Sequence, residues 1–216
     1  MNIWIVLSLC VMAVSSAEPG PCFEFNGNNS YLEFVPDNFD LSDSAHYKLS
    51  FRTEQENGTM LFARGPHDYE AIYVFKGKLN YYLFNPTSFG AGGTFGVHFE
   101  SNGPVNTNDW FSVEVFRNRR VRRGEARMTG QEPPLMSGLV LTENGVEEEH
   151  LREVTLRGVH IQGLVYVGGA GRDLSTTIGE FKGKISNILE LKNGMRFEDP
   201  SRNSGVTRCF PQRDSA

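Results

Sequence analysis

Short segments that alternate apolar and polar residues recur along this chain, and no long stretch repeats apolar residues at helical spacing. Leu49, Phe51 and Thr53 fall on one side of a period-two pattern, as do Phe111, Val113 and Val115. Side chains of a strand point alternately to opposite faces, so such segments can bury one face only by joining a sheet. Turn residues punctuate them: Asn26-Gly27, Asn57-Gly58 and Lys76-Gly77. Asn57-Gly58 reads as a hairpin turn, with 59–63 pairing back on 47–53. Lys76-Gly77 reads as a second hairpin, between 71–75 and 78–84. Many short strands separated by turns predict an all-β sandwich.

The run Leu164-Val165-Tyr166-Val167-Gly168-Gly169 fixes where that sandwich closes. Its first four residues suit a pleated surface, and glycine supplies the positive φ of a sharp exit. A second strand follows from Phe181 through Gly183 to Ile188. Residues 125–140, broken by Pro133-Pro134, read as irregular, and 151–156 as a short strand after the solvated acidic run Glu147-Glu148-Glu149. The glycine-rich segment 89–96 has no Lys-Ser/Thr after it and leads into a strand, so it is a link and not a phosphate loop.

The first residues stand apart from this pattern. An apolar run over 3–14 ends at Ser15-Ser16-Ala17. It is shorter than the ~20 residues a membrane-spanning helix needs. The small residues fit a cleavage site, so 1–17 reads as a secretory signal peptide and 18–216 as one secreted domain. No second long apolar run predicts a membrane span, and the polar C-terminus offers no lipidation signal. A formal net charge of -5 gives no bulk attraction to nucleic acid.

Of three cysteines, Cys10 leaves with the signal peptide, while Cys22 and Cys209 stand near opposite ends of what remains. In an oxidising compartment such a pair favours one disulfide over two free thiols. Asn28-Asn29-Ser30 and Asn57-Gly58-Thr59 are glycosylation sequons beside turn residues, so Asn28 and Asn57 are candidate glycan carriers.

The ordered series Phe25-Asn26-Gly27, Leu49-Ser50-Phe51-Arg52-Thr53, Gly58-Thr59-Met60-Leu61-Phe62, Lys76-Gly77-Lys78-Leu79, Asn108-Asp109-Trp110, Val167-Gly168-Gly169 and Phe181-Lys182-Gly183 resembles a laminin G-like domain. The resemblance runs from about Phe23 to Cys209. It implies a curved antiparallel jelly-roll β-sandwich of the concanavalin-like kind, working in extracellular adhesion or ligand binding as part of the extracellular matrix. Two positions depart from the family pattern: Phe111 stands where His is usual, and Lys184 where a cysteine often pairs with one near the C-terminus. That departure again leaves Cys22 as the partner for Cys209.

The resemblance also implies a calcium site at the sandwich rim. Asp68 falls at its first acidic position, but the second falls near His160, and imidazole suits a hard, oxygen-seeking cation poorly. Asp173 could replace it only if its loop folds back. The expectation is at most weak calcium binding.

The densest positive charge is the run Arg117, Arg119, Arg120, Arg122 and Arg123. Laminin G-like modules often bind heparin, and guanidinium groups match sulfate geometry. Arg117 and Arg119 share parity with Val113 and Val115. A straight strand would therefore drive arginines into the core, which is forbidden without partners. The strand is expected to end near Phe116 or Arg117 and the arginines to form an exposed glycan-binding turn.

Catalysis finds no support. None of His46, His67, His98, His150 and His160 lies in a zinc motif or beside a nucleophile elbow. No strand sets paired carboxylates on one face as a glycosidase would need. The expected partner is an extracellular protein or a sulfated glycosaminoglycan, and the alternatives are a lectin or a carrier of a small apolar ligand.

Overall fold

The computed structural model describes residues 21–85, 96–120, 132–156, 159–170 and 178–210. Among the described residues the chain forms fifteen strands: β1 Cys22–Asn26, β2 Tyr31–Phe34, β3 Ala45–Arg52, β4 Gly58–Arg64, β5 Tyr69–Phe75, β6 Lys78–Phe84, β7 Gly96–Pro104, β8 Phe111–Arg120, β9 Leu135–Glu143, β10 Val146–Arg152, β11 Val165–Val167, β12 Lys182–Glu190, β13 Met195–Arg196, β14 Arg202–Ser204 and β15 Thr207–Cys209. They build two sheets, here called A and B. Sheet A runs β10-β9-β8-β3-β12-β1-β15, with β13 paired to β12, and sheet B runs β14-β2-β11-β4-β5-β6-β7. The paired strands of both sheets are antiparallel.

Alternation sets the faces. In β3, Ala45, Tyr47, Leu49 and Phe51 point inward, while His46, Lys48, Ser50 and Arg52 point out. In β8, Phe111, Val113 and Val115 meet them from the neighbouring strand, with Leu49 opposite Val113 and Phe51 opposite Phe111. From sheet B, Leu61, Ile72, Val74, Tyr81, Val165 and Val167 complete one continuous core. Fully burying each such aliphatic or aromatic side chain contributes about 1.5–3 kcal/mol.

Gly168 closes the end of β11 as the sequence suggests. Its φ is +82°, and a Cβ there would lie 2.1 Å from the Phe25 ring, so only glycine lets sheet B approach β1 so closely. Lys76 and Gly77, both at positive φ, form the tight turn joining β5 to β6.

Asn57-Gly58 behaves differently from its expectation. The chain turns there, but β3 lies in sheet A and β4 in sheet B, so the two do not pair. The turn passes the chain from one sheet to the other. Residues 125–140 hold more order than expected at their far end, where β9 begins at Leu135 just after the prolines. The acidic run Glu147-Glu148-Glu149 is part of edge strand β10, where its charges help keep the open edge from pairing with other chains. The glycine-rich segment 89–96 lies outside the described residues except for its last residue, Gly96.

Cys22 and Cys209 form a disulfide that joins neighbouring strands β1 and β15 across 187 residues of sequence. In the chain-entropy account, closing so long a loop stabilises the fold by about 5 kcal/mol.

The inward parity of β8 extends one inward position beyond Val115, to Arg117, whose side chain is fully buried. Its Nε donates to Glu70 Oε1 on β5 of the opposite sheet at 2.5 Å. The guanidinium also donates to the carbonyl oxygens of Leu41 and Ser42, and Tyr81 donates its hydroxyl to the same Glu70 oxygen at 3.0 Å. The expected end of the strand at Phe116 or Arg117 is therefore corrected. The charge that seemed to forbid burial has a buried partner, and β8 continues to Arg120.

Removing one member of a buried pair leaves the other charge uncompensated, at a cost of about 3–5 kcal/mol. Arg117→Met and Glu70→Leu are each expected to lose that much stability in urea unfolding. The double variant should lose much less than the sum. Single variants that unfold at the wild-type midpoint would show that the pair does not hold the sheets together.

Candidate binding site

Between Phe116 and Arg119 the ladder between β8 and β9 shifts register. Asn118 sits at the shift with φ +53°, a conformation asparagine tolerates better than most residues. Its side-chain amide donates to the carbonyls of Asp43 and Leu156 at 2.7 and 2.6 Å, and its Oδ1 accepts from the Leu156 N–H at 2.8 Å. A bulge of this kind adds one residue and reverses the parity of the strand beyond it. The reversal turns Arg119 out of the core, Arg120 is exposed at the last position of β8, and the two side chains are 44% and 52% exposed.

These two guanidiniums are not bare. Arg119 Nη1 contacts Glu114 Oε1 at 2.6 Å and packs over the Phe116 ring, and Arg120 Nη1 contacts Glu132 Oε2 at 2.8 Å. Exposed pairs of this type contribute little, about 0–1 kcal/mol, so they can exchange for another anion. Arg117, expected in the same exposed cluster, is instead sealed inside, as its parity requires. Arg122 and Arg123 lie outside the described residues.

His46 Nε2 also reaches Glu114 Oε1, at 2.6 Å, and its ring meets Phe116 edge-on. The Glu114 carboxyl is held down to about 2, first by the hydrogen bond from His46, against the opposing effect of burial, then by the charges of His46 and Arg119. One carboxylate therefore organises the imidazole and the first exposed guanidinium on the outer face of sheet A.

At the other end of that face lies a cleft of about 510 Å³ that sequence reading did not single out. Arg52, Lys182 and Lys184 line it together with Glu24 and Glu54. The register explains their meeting: Lys184 pairs with Arg52 on one side and with Glu24 on the other. The signal was available as outward positions of three adjacent strands, but the strand order that makes them neighbours was not.

At the rim, Asp68 is buried. Its Oδ2 accepts the backbone N–H of His160 at 2.6 Å, which brings together the two positions expected for calcium. Its Oδ1 is buried without a hydrogen-bond partner among the described residues. That is one free oxygen where calcium takes six to eight. The His160 side chain is exposed and offers nitrogen, and no group of three His, Cys, Asp or Glu side chains converges among the described residues. Among the described residues the acidic side chains do not make an oxygen-rich cage, and Asp173 lies outside them.

The sequon asparagines differ in setting. Asn28 is exposed, whereas Asn57 is half-buried and its Oδ1 accepts the Lys76 N–H at 2.9 Å. Ser30 and Thr59, the hydroxyl residues of the two sequons, are both buried in the folded chain. The other histidines the structure engages are tied into local contacts: His98 Nε2 lies 2.7 Å from Asn80 Oδ1, and His150 bonds Glu148. Among the described residues no helix is long and apolar enough to cross a membrane.

Two antiparallel sheets packed over one core define the class, an all-β sandwich of the laminin G and concanavalin-like kind. The laminin G domain family model matches residues 51–190, and the chain belongs to that family. Laminin G domains are non-catalytic binding modules, typically extracellular. The chain is 33% identical over 100 residues to neurexin-4 of Drosophila melanogaster, covering 44% of this chain and 8% of that protein. It is 26% identical over 182 residues to neurexin-3a of Danio rerio, covering 81% of this chain and 10% of that protein. The chain thus spans a tenth or less of these curated relatives. In fold it is similar to the LG1-3 region of the laminin alpha2 chain, with a TM-score of 0.65 at 13% identity, covering 87% of this chain and 34% of that one. Domains LG4-5 of the mouse laminin alpha1 chain give a TM-score of 0.61 at 19% identity, covering 91% and 49%.

The Glu114 cluster carries a pH signature. A carboxylate whose pKa is lowered by folding adds stability that is complete above its ordinary value of 4.5 and is lost as pH falls from there through about 2. Titration of the Glu114 side chain by NMR is expected to show a midpoint of about 2. His46→Phe, which removes the largest favourable contact, should raise it towards the ordinary value. An unshifted midpoint in the wild type would mean the cluster does not form in solution.

Proposed function

We propose that this protein is secreted after removal of residues 1–17 and binds a sulfated glycosaminoglycan through Arg119 and Arg120, continued by Arg122 and Arg123. The observation that carries this reading is the bulge at Asn118, which turns Arg119 out of the core beside the exposed Arg120 at the end of β8. Guanidinium forks suit sulfate oxygens, and a local positive patch on a chain of net charge -5 gives an anionic partner a landing place. Arg117 serves this site from inside, by fixing the strand from which the others project. An acidic surface of an extracellular protein would be held by the same groups.

Between the sheets, Tyr47, Phe51, Met60 and the Arg117–Glu70 pair fill the core, which favours surface recognition over the enclosed carriage of an apolar ligand. Calcium contributes at most weakly through Asp68, and binding at β8 does not depend on it. The cleft with Arg52, Lys182 and Lys184 supports a second, competing location for the same anionic partner.

The test uses the protein collected from the medium of cells expressing the whole chain. Its first residue is expected to be Glu18, and enzymatic removal of N-glycans should lower its mass through Asn57 and Asn28. On immobilised heparin at physiological salt the wild type should be retained and should elute steeply as salt screens the charges. Chelation of calcium should leave retention unchanged. Combined replacement of Arg119, Arg120, Arg122 and Arg123 by Ala should abolish retention with the fold intact, while Lys182→Ala with Lys184→Ala should not. The opposite pattern places the site in the cleft, and a wild type that flows through removes the glycan reading.

A further inference from the structure

The outer face of sheet B carries a second, chemically different site. Ala71, at the middle of β5, lies opposite Phe62 of β4 on one side and Tyr82 of β6 on the other. Along β5 itself, Tyr69 and Tyr73 project from the same face two residues before and after it. A methyl group ringed by four aromatic side chains leaves a dent in the sheet surface, because the small residue stands where the sheet is otherwise tall. Phe62 and Tyr69 lie 5.2 Å apart and Tyr69 and Tyr82 6.0 Å apart, so the walls support one another. Thr59, opposite Tyr73, and Ile178 complete a pocket of about 190 Å³.

The chemistry of the lining limits what can occupy it. None of the described residues that line it carries a charge, so among them a sulfate, uronate or ammonium finds no partner. An apolar cavity of ~150 Å³ holds a benzene-sized molecule, so this pocket has room for one six-membered ring. The Thr59 residue is 1% exposed, and its hydroxyl has no hydrogen-bond partner among the described residues. A buried hydroxyl left unpaired is costly and calls for a ligand or water to satisfy it. The Tyr73 phenol is pushed up to about 12, first by burial and then by Tyr82, Tyr69 and Glu100, so it remains a neutral hydroxyl throughout the physiological range. Aromatic faces for stacking, with several hydroxyls around one ring-sized space, match a molecule with apolar C–H faces and a hydroxylated edge.

We infer that this pocket binds one uncharged pyranose ring of a glycan, on the side of the sandwich opposite the arginine-bearing face. Ring C–H groups stack on Phe62, Tyr69 and Tyr82, while a sugar hydroxyl bonds Thr59 Oγ1. This site is independent of the proposed heparin site, because the two lie on different sheets and use opposite chemistry.

The experiment titrates the secreted protein with neutral methyl glycosides of glucose, galactose, mannose and N-acetylglucosamine, following tyrosine ring signals by NMR. Cyclohexanol serves as a ring with a single hydroxyl. At least one glycoside is expected to shift the Tyr69, Tyr73 and Tyr82 signals saturably, more tightly than cyclohexanol does. Ala71→Phe, which fills the dent without removing a wall, should abolish the shifts and leave heparin retention as it was. Thr59→Val should weaken binding about fivefold, the effect of one lost hydrogen bond. Thr59 also completes the Asn57 sequon, so Asn57→Gln is its control and should bind like the wild type. No shift with any glycoside, equal or tighter binding of cyclohexanol, or shifts that persist in Ala71→Phe each overturn the inference. Should Ala71→Phe fail to fold, equal affinity of Thr59→Val and Asn57→Gln overturns it as well.

Discussion

The ion pair between Arg117 and Glu70 is the one place where full charges cross the space between the two sheets among the described residues. Its consequences reach beyond its own energy. The guanidinium also holds the carbonyls of Leu41 and Ser42, so it pins the loop before β3 as well as β5. Burial alone disfavours the guanidinium's charge, yet the neighbouring Glu70 carboxylate more than offsets this and the pKa of Arg117 is raised. The same cluster presses on its tyrosines: burial and the Glu70 charge push the hydroxyls of Tyr47 and Tyr81 well above their ordinary value. A buried pair adds little net stability compared with well-packed apolar residues, but it tolerates few alternative geometries. Here it fixes the register of β8 at the residue where the strand must bulge.

The two outer faces of the sandwich follow from that fixed register and from plain alternation. Outward positions of sheet A are polar and mostly ionisable: His46, Lys48, Ser50, Arg52, Glu114, Arg119 and Lys184. Outward positions of the middle of sheet B are aromatic, and Tyr31, Phe62, Tyr166, Tyr69 and Tyr73 group there apart from the main core. An aromatic face on one side and an ionic face on the other suit a module that meets more than one kind of surface. The disulfide ties β15 to β1 at the edge of sheet A, so the chain end cannot peel away from the face that carries the cations.

Much of this fold was legible in the sequence because period-two alternation is a local property. Leu49, Phe51, Phe111, Val113 and Val115 announced their inward faces without any knowledge of their neighbours. The Cys22–Cys209 pairing followed from there being no other partner. What failed was non-local. Asn57-Gly58 has the composition of a hairpin turn, but whether flanking strands pair or separate into two sheets depends on the whole topology. Leu135 was lost in an irregular reading because Pro133-Pro134 just before it obscured the start of β9. Arg117 obeyed its parity, and the reasoning that set parity aside lacked Glu70, 47 residues earlier in the chain and on the other sheet. The exposure of Arg119 and Arg120 was anticipated, but the bulge at Asn118 that turns Arg119 outward was not.

The central claim is that one run of arginines is divided by that bulge into a buried structural member and exposed binding members. Arginine-selective labelling with phenylglyoxal, read by mass spectrometry on the native secreted protein with and without heparin, tests it in one measurement. Arg119 and Arg120 are expected to react and to be protected by heparin, while Arg117 stays unlabelled until the protein is unfolded. Labelling of Arg117 as fast as Arg119 in the native protein, or heparin that leaves Arg119 and Arg120 unprotected, would contradict it.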